Sequence, residues 1–271
     1  MCRLLAYKGS PVTLHRLVYE ADHSLEEQSY QPEEMLSGTV NVDGFGCGWH
    51  NQQVREEPGV YRTLSNLWSD MSFRSLSGIV TADLAFASVR NATPPSPTDI
   101  QSVQPLSMGP YLFMHNGHIK EFHGKVKRPL HNLIPDDIYA QMYSASDSAA
   151  IFALLYHRLR QQPPSLAHMQ SQLADVLYTI TDLAREHDVA CYLNLALTDG
   201  TGIVFSRYSN DEESNSLYRL EDGQRYPDAV LIVSEPLDDD QDWQAVPHNS
   251  IVSIDANRRV RIEEITEGAA V

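Results

Sequence analysis

The second residue of the chain is a cysteine, at the head of the apolar run MCRLLAYKG. Once the methionine is removed, its thiol and a free α-amino group belong to one residue. An α-amino group has an ordinary pKa of roughly 7.7–8.0. An appreciable fraction is therefore deprotonated at neutral pH and can take the thiol proton. Methionine aminopeptidases favour a small second residue, and cysteine qualifies. A cysteine at a strand start is also an ordinary small buried hydrophobe. The nucleophile reading of Cys2 therefore needs companions: donors for a developing oxyanion and a clamp for a substrate.

Three such companions are present. MHNG ends an apolar run, and there Asn116 offers a side-chain amide and Gly117 a backbone N–H with no Cβ to block approach. Together they can form a two-donor oxyanion hole; Asn-Gly is equally a turn signal. Arg90 ends the run LAFASV and can clamp a carboxylate with two parallel hydrogen bonds, or it can be an exposed strand-end arginine. Asp147, in YSASDSAAIF, suits a helix N-cap and could also hold a substrate ammonium. His115, beside Asn116, admits a structural reading and one in the substrate pocket. His118, His123 and His131 lack zinc-site spacing, and no metal is expected. Cys47, Cys191, Trp49 and Trp68 read as core, the tryptophans also as pocket wall.

These residues need elements to position them. CRLLAY predicts a buried strand that KGSP breaks. SLEEQ carries a capping-box signature, Ser24 with Glu27 three residues on. VDGFGCGWH, LAFASV and YLFMHNG predict strands, with a proline-rich loop over 91–101. Two helices follow, over 147–161 and 165–186; the second has apolar residues from Leu166 to Leu183 at steps of three and four. Then the period turns to two, with a hairpin at Asp199-Gly200 and strands near 217–220, 229–233, 250–254 and 259–264. Strands, a helical pair and strands again suggest α+β, two facing sheets with helices outside.

The totals narrow the partners. The 271 residues carry a formal charge of −16, with a pI near 5.0. Such a chain is a poor ligand for a phosphate backbone, and no nucleic acid is expected. Residues 211–242 concentrate the acid and read as a solvated face, while 118–131 is locally basic. Three cysteines without a CxxC pair make neither a disulfide framework nor a zinc ribbon. No apolar run reaches the roughly 18 residues of a membrane span, and the N-terminus lacks a secretory h-region. No membrane association and a cytoplasmic location are expected.

MCRLLAYKG, DGFGCGW, SVRNATPPSPT, MHNG and SDS occur in the order and approximate spacing of class II glutamine amidotransferases, which are N-terminal nucleophile hydrolases. VDGFGCGW, LWSD, VRNATPPSPT and SEPL resemble the stand-alone branch that includes the γ-glutamyl amidohydrolase of ergothioneine biosynthesis. The resemblance implies a four-layer αββα sandwich, one domain over residues 2–271 with Met1 removed. It implies Cys2 as nucleophile, Asn116 and Gly117 as oxyanion hole, Arg90 as α-carboxylate clamp and Asp147 as α-ammonium partner, with Phe45 and His115 at the substrate pocket. The sequence departs from the fused enzymes at two places. Arg90-Asn91-Ala92-Thr93-Pro94 stands for their Arg-Trp-Ala-Thr-His segment, and Asp43-Gly44-Phe45-Gly46 for their Arg-Gly-x-Asp loop.

The implied substrate is a small γ-glutamyl amide, with no cofactor and the oligomeric state open. Loops 66–76 and 209–224 are expected to meet the leaving amine, and Ser234-Glu235 to line the pocket. Two other readings stand beside hydrolysis: a glutaminase delivering ammonia to a separate synthase partner, and a γ-glutamyl-binding protein without turnover.

Overall fold

A computed structural model of the chain describes residues 2–34, 40–92 and 98–265. Its strands are β1 (Arg3–Thr13), β2 (Phe45–Trp49), β3 (Gly59–Thr63), β4 (Thr81–Val89), β5 (Leu106–Met108), β6 (Tyr111–Ile119), β7 (Cys191–Thr198), β8 (Ile203–Arg207), β9 (Tyr218–Glu221), β10 (Ala229–Val233), β11 (Gln244–Ala245), β12 (Ser250–Ile254) and β13 (Val260–Glu264). Its α-helices are α1 (Leu14–Tyr19), α2 (Leu25–Tyr30), α3 (Met71–Ser77), α4 (Lys127–His131), α5 (Asp136–Tyr139), α6 (Asp147–Leu159) and α7 (Leu166–Glu186). The strands form two antiparallel sheets, ordered β11-β9-β10-β1-β4-β2-β3 and β13-β12-β8-β7-β6-β5.

Side chains alternate across a strand, and that alternation sorts the apolar residues into three layers. Leu4, Ala6, Leu84 and Phe86 of the first sheet meet Leu112, Met114, Ala196 and Phe205 of the second between the sheets. Leu5, Tyr7, Phe45 and Cys47 face the other way, onto Leu14, Leu17, Leu25 and Phe73 of α1–α3. Phe113, Leu193 and Leu195 face α6 and α7, whose Phe152, Met169, Leu173, Val176 and Ile180 are buried against them. Helices, sheet, sheet and helices make the expected αββα sandwich. At about 25 cal/mol per Å2 of apolar surface removed from water, these three layers are the main favourable contribution to the fold.

Several elements differ from expectation. KGSP does not end β1: the strand continues to Thr13 through a register shift between Lys8 and Val12, a bulge that absorbs the turn-like residues. Ser24 does cap α2, accepting from the Glu27 N–H at 3.3 Å. Residues 66–76, expected as a loop, form a 3-10 turn and most of α3, with Phe73 in the helix-side core. The stretch 209–224 is not wholly a solvated loop: Ser209, Asn215 and Leu217 are buried and β9 occupies part of it. The proline-rich residues 93–97, like Met1, lie outside the described residues.

Candidate active site

β1 lies inside its sheet, between β4 and β10. Leu4 and Ala6 face the other sheet, so Cys2, just before the strand, continues that inward series at its end. Cys2 is partly exposed, whereas Cys47 and Cys191 are buried, and burial pushes the Cys47 thiol up to about 12 and Cys191 to about 11.

The next residue, Arg3, is fully buried on the helix side. Its Nε–H donates to the Cys2 carbonyl at 2.9 Å and its Nη1 pairs with Glu235 Oε1 at 2.6 Å. Glu235 also meets His23 Nε2 at 2.9 Å and accepts the backbone N–H groups of Glu33 and Glu34. Burial works against its charge, but His23, Arg3 and those two N–H groups outweigh it and hold the carboxyl below the usual glutamate range. The Ser234 hydroxyl accepts the Leu4 N–H at 3.0 Å. Ser234 and Glu235, expected as pocket lining, are buried and hold the strand that carries Cys2. A charge inside an otherwise apolar strand must find a partner, and that was the available signal in CRLLAY.

β6 presents the second group. Leu112 and Met114 face the sheet interface, and Asn116 follows them by alternation. Its side chain is 0 % exposed, yet neither Nδ2 nor Oδ1 has a partner among the described residues. A buried amide without partners costs about 1–3 kcal/mol. Gly117 lies opposite Leu193 of β7, and Leu193 gives its N–H to Tyr208 on the far side. In an antiparallel ladder the Gly117 N–H therefore points away from β7. β5 pairs with β6 only as far as Phe113, so among the described residues no strand lies along that edge at Gly117. The N–H groups on either side are occupied: His115 donates to Gln104 Oε1 and Ile119 to Asp147 Oδ2.

His115, expected at the substrate pocket, is turned to the helix side. Its Nε2 lies 2.9 Å from the Tyr192 carbonyl and its Nδ1 3.0 Å from the Ser148 hydroxyl. A carbonyl only accepts, so the proton sits on Nε2 and Ser148 donates to Nδ1. A Cβ on Gly117 would run into the Tyr192 carbonyl and the His115 ring, which is why glycine is needed there. Phe45 likewise leaves the expected pocket. Its ring packs on Phe73 at 5.0 Å and Tyr61 at 5.8 Å, on the helix side, while Gly46 and Gly48 take the inward positions of β2.

Arg90 continues β4 beyond Val89 and is buried. Its backbone is fixed on both sides: its N–H donates to the Gly44 carbonyl at 2.9 Å and its carbonyl accepts the Asp43 N–H at 3.0 Å. Asp43 Oδ2 takes the Ala92 N–H at 2.7 Å. Gly44 has φ +104°, a conformation that side chains rarely adopt. Asp147 is the first residue of α6, and its predecessor Ser146 is the N-cap, accepting from the Ala149 N–H. Half-buried Asp147 accepts from the Ile119 and Ser148 N–H groups at 3.0 and 2.8 Å.

A chain of bonds puts the two sheets' groups at one end of the interface. From Ser234, which holds Leu4, the carbonyl accepts the Ser216 hydroxyl at 2.7 Å. Asn194 Nδ2 donates to the Ser216 and Asn215 carbonyls, both at 3.2 Å, and Asn215 Nδ2 to the Asn116 carbonyl at 2.8 Å. Asn194 and Asn215 are buried, and neither Oδ1 has a partner among the described residues. An arrangement of this kind, with a thiol at a strand end and the unspent amide of Asn116 opposite, can bind and polarise a small carbonyl compound. Among the described residues no three His, Cys, Asp or Glu side chains are grouped to hold a metal ion, and no helix is long and apolar enough to cross a membrane.

Comparison with known proteins points the same way. No family model matches the chain. A probable glutamine amidotransferase of Saccharomyces cerevisiae, DUG3, is 31 % identical, over 94 % of this chain and 82 % of the relative. A γ-glutamyl-hercynylcysteine sulfoxide hydrolase of Mycobacterium tuberculosis is 27 % identical, over 94 % and 93 %. A solved glutamine aminotransferase class-II domain protein from Silicibacter pomeroyi superposes with a TM-score of 0.70 at 22 % identity, covering 98 % of this chain and all of that one. The last likeness is one of fold.

Proposed function

The chain belongs to the class II glutamine amidotransferase family, hydrolytic enzymes of γ-glutamyl amides, and from that premise we propose that it cleaves such an amide with Cys2 as nucleophile and releases glutamate. The observation that carries the reading is Asn116: a fully buried amide with both polar atoms unspent, facing the sheet that begins at Cys2.

In this reading Arg90 binds the α-carboxylate and Asp147 the α-ammonium of the glutamyl half. The α-amino group of Cys2, free once Met1 is gone, takes the thiol proton. The thiolate sulfur bonds to the carbon of the γ-carbonyl and the carbonyl π electrons move to oxygen. Asn116 Nδ2 and the Gly117 N–H stabilise that oxyanion. As the carbonyl re-forms, the C–N bond breaks and the amine leaves with the proton that the Cys2 α-amino group took from the thiol. Water then cleaves the thioester by the same two stages. The first candidate substrate is γ-glutamyl-hercynylcysteine sulfoxide, because the chain matches nearly the whole length of the mycobacterial hydrolase.

Methionine-free protein assayed for glutamate release against glutamine, γ-glutamyl dipeptides, L-γ-glutamyl-p-nitroanilide and the hercynylcysteine sulfoxide tests this. Turnover of at least one amide, abolished in Cys2→Ala, is expected. Activity in a chain shown by intact mass to retain Met1 refutes the amine-as-base mechanism. Glutamine turnover only in the presence of a synthase would favour ammonia delivery.

A further inference from the structure

Asn215 sits in SNDEESNS, a segment whose composition reads as solvated surface, yet it is 2 % exposed. Its backbone carbonyl is held from two sides, by Asn194 Nδ2 at 3.2 Å and Arg207 Nε at 3.1 Å. So anchored, its side-chain Nδ2 reaches the Asn116 carbonyl at 2.8 Å across 99 residues of sequence.

That carbonyl belongs to the same peptide unit as the Gly117 N–H. In a trans peptide the two point in opposite directions. The carbonyl faces β7, where the ladder also directs the Asn194 N–H onto it, and the N–H faces the open edge of β6. A hydrogen bond accepted at the carbonyl draws electron density from the amide and makes its N–H a stronger donor. It also fixes the peptide plane against rocking.

We propose that Asn215 is a positioning residue of the reaction: by holding the Asn116 carbonyl, its amide orients and polarises the Asn116–Gly117 peptide, and so strengthens the Gly117 N–H as the donor to the tetrahedral oxyanion. It touches no substrate atom. The inference rests on the oxyanion role given above to Asn116 and Gly117. The acidic segment thus reaches the catalytic end of the sheets through one inward asparagine, and Ser216 beside it grips Ser234 of the strand pair that carries Cys2.

The test uses methionine-free protein, L-γ-glutamyl-p-nitroanilide and [15N]glycine labelling. Asn215→Ala is expected to lower kcat roughly five- to tenfold while KM, glutamate affinity and Tm stay near wild type. The Gly117 amide proton should move upfield, as a weaker hydrogen bond at the preceding carbonyl requires, and the other glycine resonances should stay in place. Should Asn215→Ala fold poorly, Asn215→Asp keeps the volume and sets an oxygen against the Asn116 oxygen; it should lower kcat at least as far, with the same resonance moved. A kcat within twofold of wild type in the folded variant, or an unmoved Gly117 resonance, overturns the proposal. Asn116→Ala run alongside separates the two levels. If it leaves kcat intact, the oxyanion assignment falls and this inference with it; if it lowers kcat while Asn215→Ala does not, only the role of Asn215 falls.

Discussion

His115 and Asn116 are neighbours on one strand, both buried to within 1 %, and they live in opposite surroundings. His115 faces the helices, and both ring nitrogens are engaged, with Ser148 and the Tyr192 carbonyl. Asn116 faces the other sheet, and neither polar atom of its side chain is engaged among the described residues. A buried polar group normally finds a partner inside the protein. Where it has one, the residue contributes to stability; where it has none, the fold carries a cost of about 1–3 kcal/mol that a ligand can relieve. On one strand, the side chain of His115 is thus spent on the scaffold, while that of Asn116 is left for a ligand to satisfy.

The largest expected effect tests the chemical side at its centre. Cys2→Ala should lower turnover by several orders of magnitude with Tm unchanged, while Cys47→Ala, on the helix face, should lower Tm and leave kcat within a few-fold. Equal damage to kcat from the two would mean the wrong cysteine has been chosen. Next comes the strand itself. Asn116→Ala should cost about 10²–10³ in kcat with KM little changed and Tm equal or higher, since it removes an unsatisfied amide. His115→Ala should do the reverse, costing roughly 2–4 kcal/mol of stability through two lost hydrogen bonds and a cavity. Chemical denaturation of both variants checks this, and a stability loss confined to Asn116→Ala would invert the comparison.

Smaller effects concern the rim. Arg90→Ala should raise KM by a factor equivalent to about 2–3 kcal/mol, the loss of one charge-assisted pair, because the proposed clamp would bind ground and transition states alike. Asp147→Asn should act in the same direction, and a substrate lacking the α-amino group should barely distinguish that variant from wild type. The smallest effect is on pH. Glu235 is held below the ordinary glutamate value of about 4.3, so its contribution to stability is complete above that value and disappears as pH falls through the lower, folded one. His23 is raised, first by its hydrogen bond to Glu235; its contribution is complete below the ordinary histidine value and is lost as pH rises through the folded one. In urea titrations from pH 3 to 8, Glu235→Gln should flatten both limbs. An unaltered acid limb would show that the pair with Arg3 does not stabilise the fold.

Much of the architecture was legible, for a physical reason: α7 has one apolar stripe, α6 is a longer apolar run buried nearly all round, and β4, β6 and β7 are apolar runs bounded by turn signals. The side a strand presents was harder to read. FGCGW is apolar on one face and glycine on the other; the family resemblance puts Phe45 at the pocket, whereas the layer of α1–α3 takes it. Asp147 was weighed as the cap, but Ser146, a better-placed acceptor, has that role. Asn215 was illegible because its neighbours are charged and only its own position turns inward. Arg3 and Glu235 were hidden differently: each looks ordinary alone, and only a pairing 232 residues apart shows that they belong together.

That long separation has a consequence in time. β1 is an inner strand whose bond to Ser234 spans 230 residues, so one of its two edges stays unpaired on the ribosome until most of the chain has emerged. At roughly 5–20 residues per second, the amino end waits roughly ten to fifty seconds in an open state before β10 arrives. The methionine removal that the proposed mechanism requires has that interval in which to act, before β10 pairs with the strand. A chain stalled before β10 would leave one apolar edge of β1 unpaired, with Cys2 just before it.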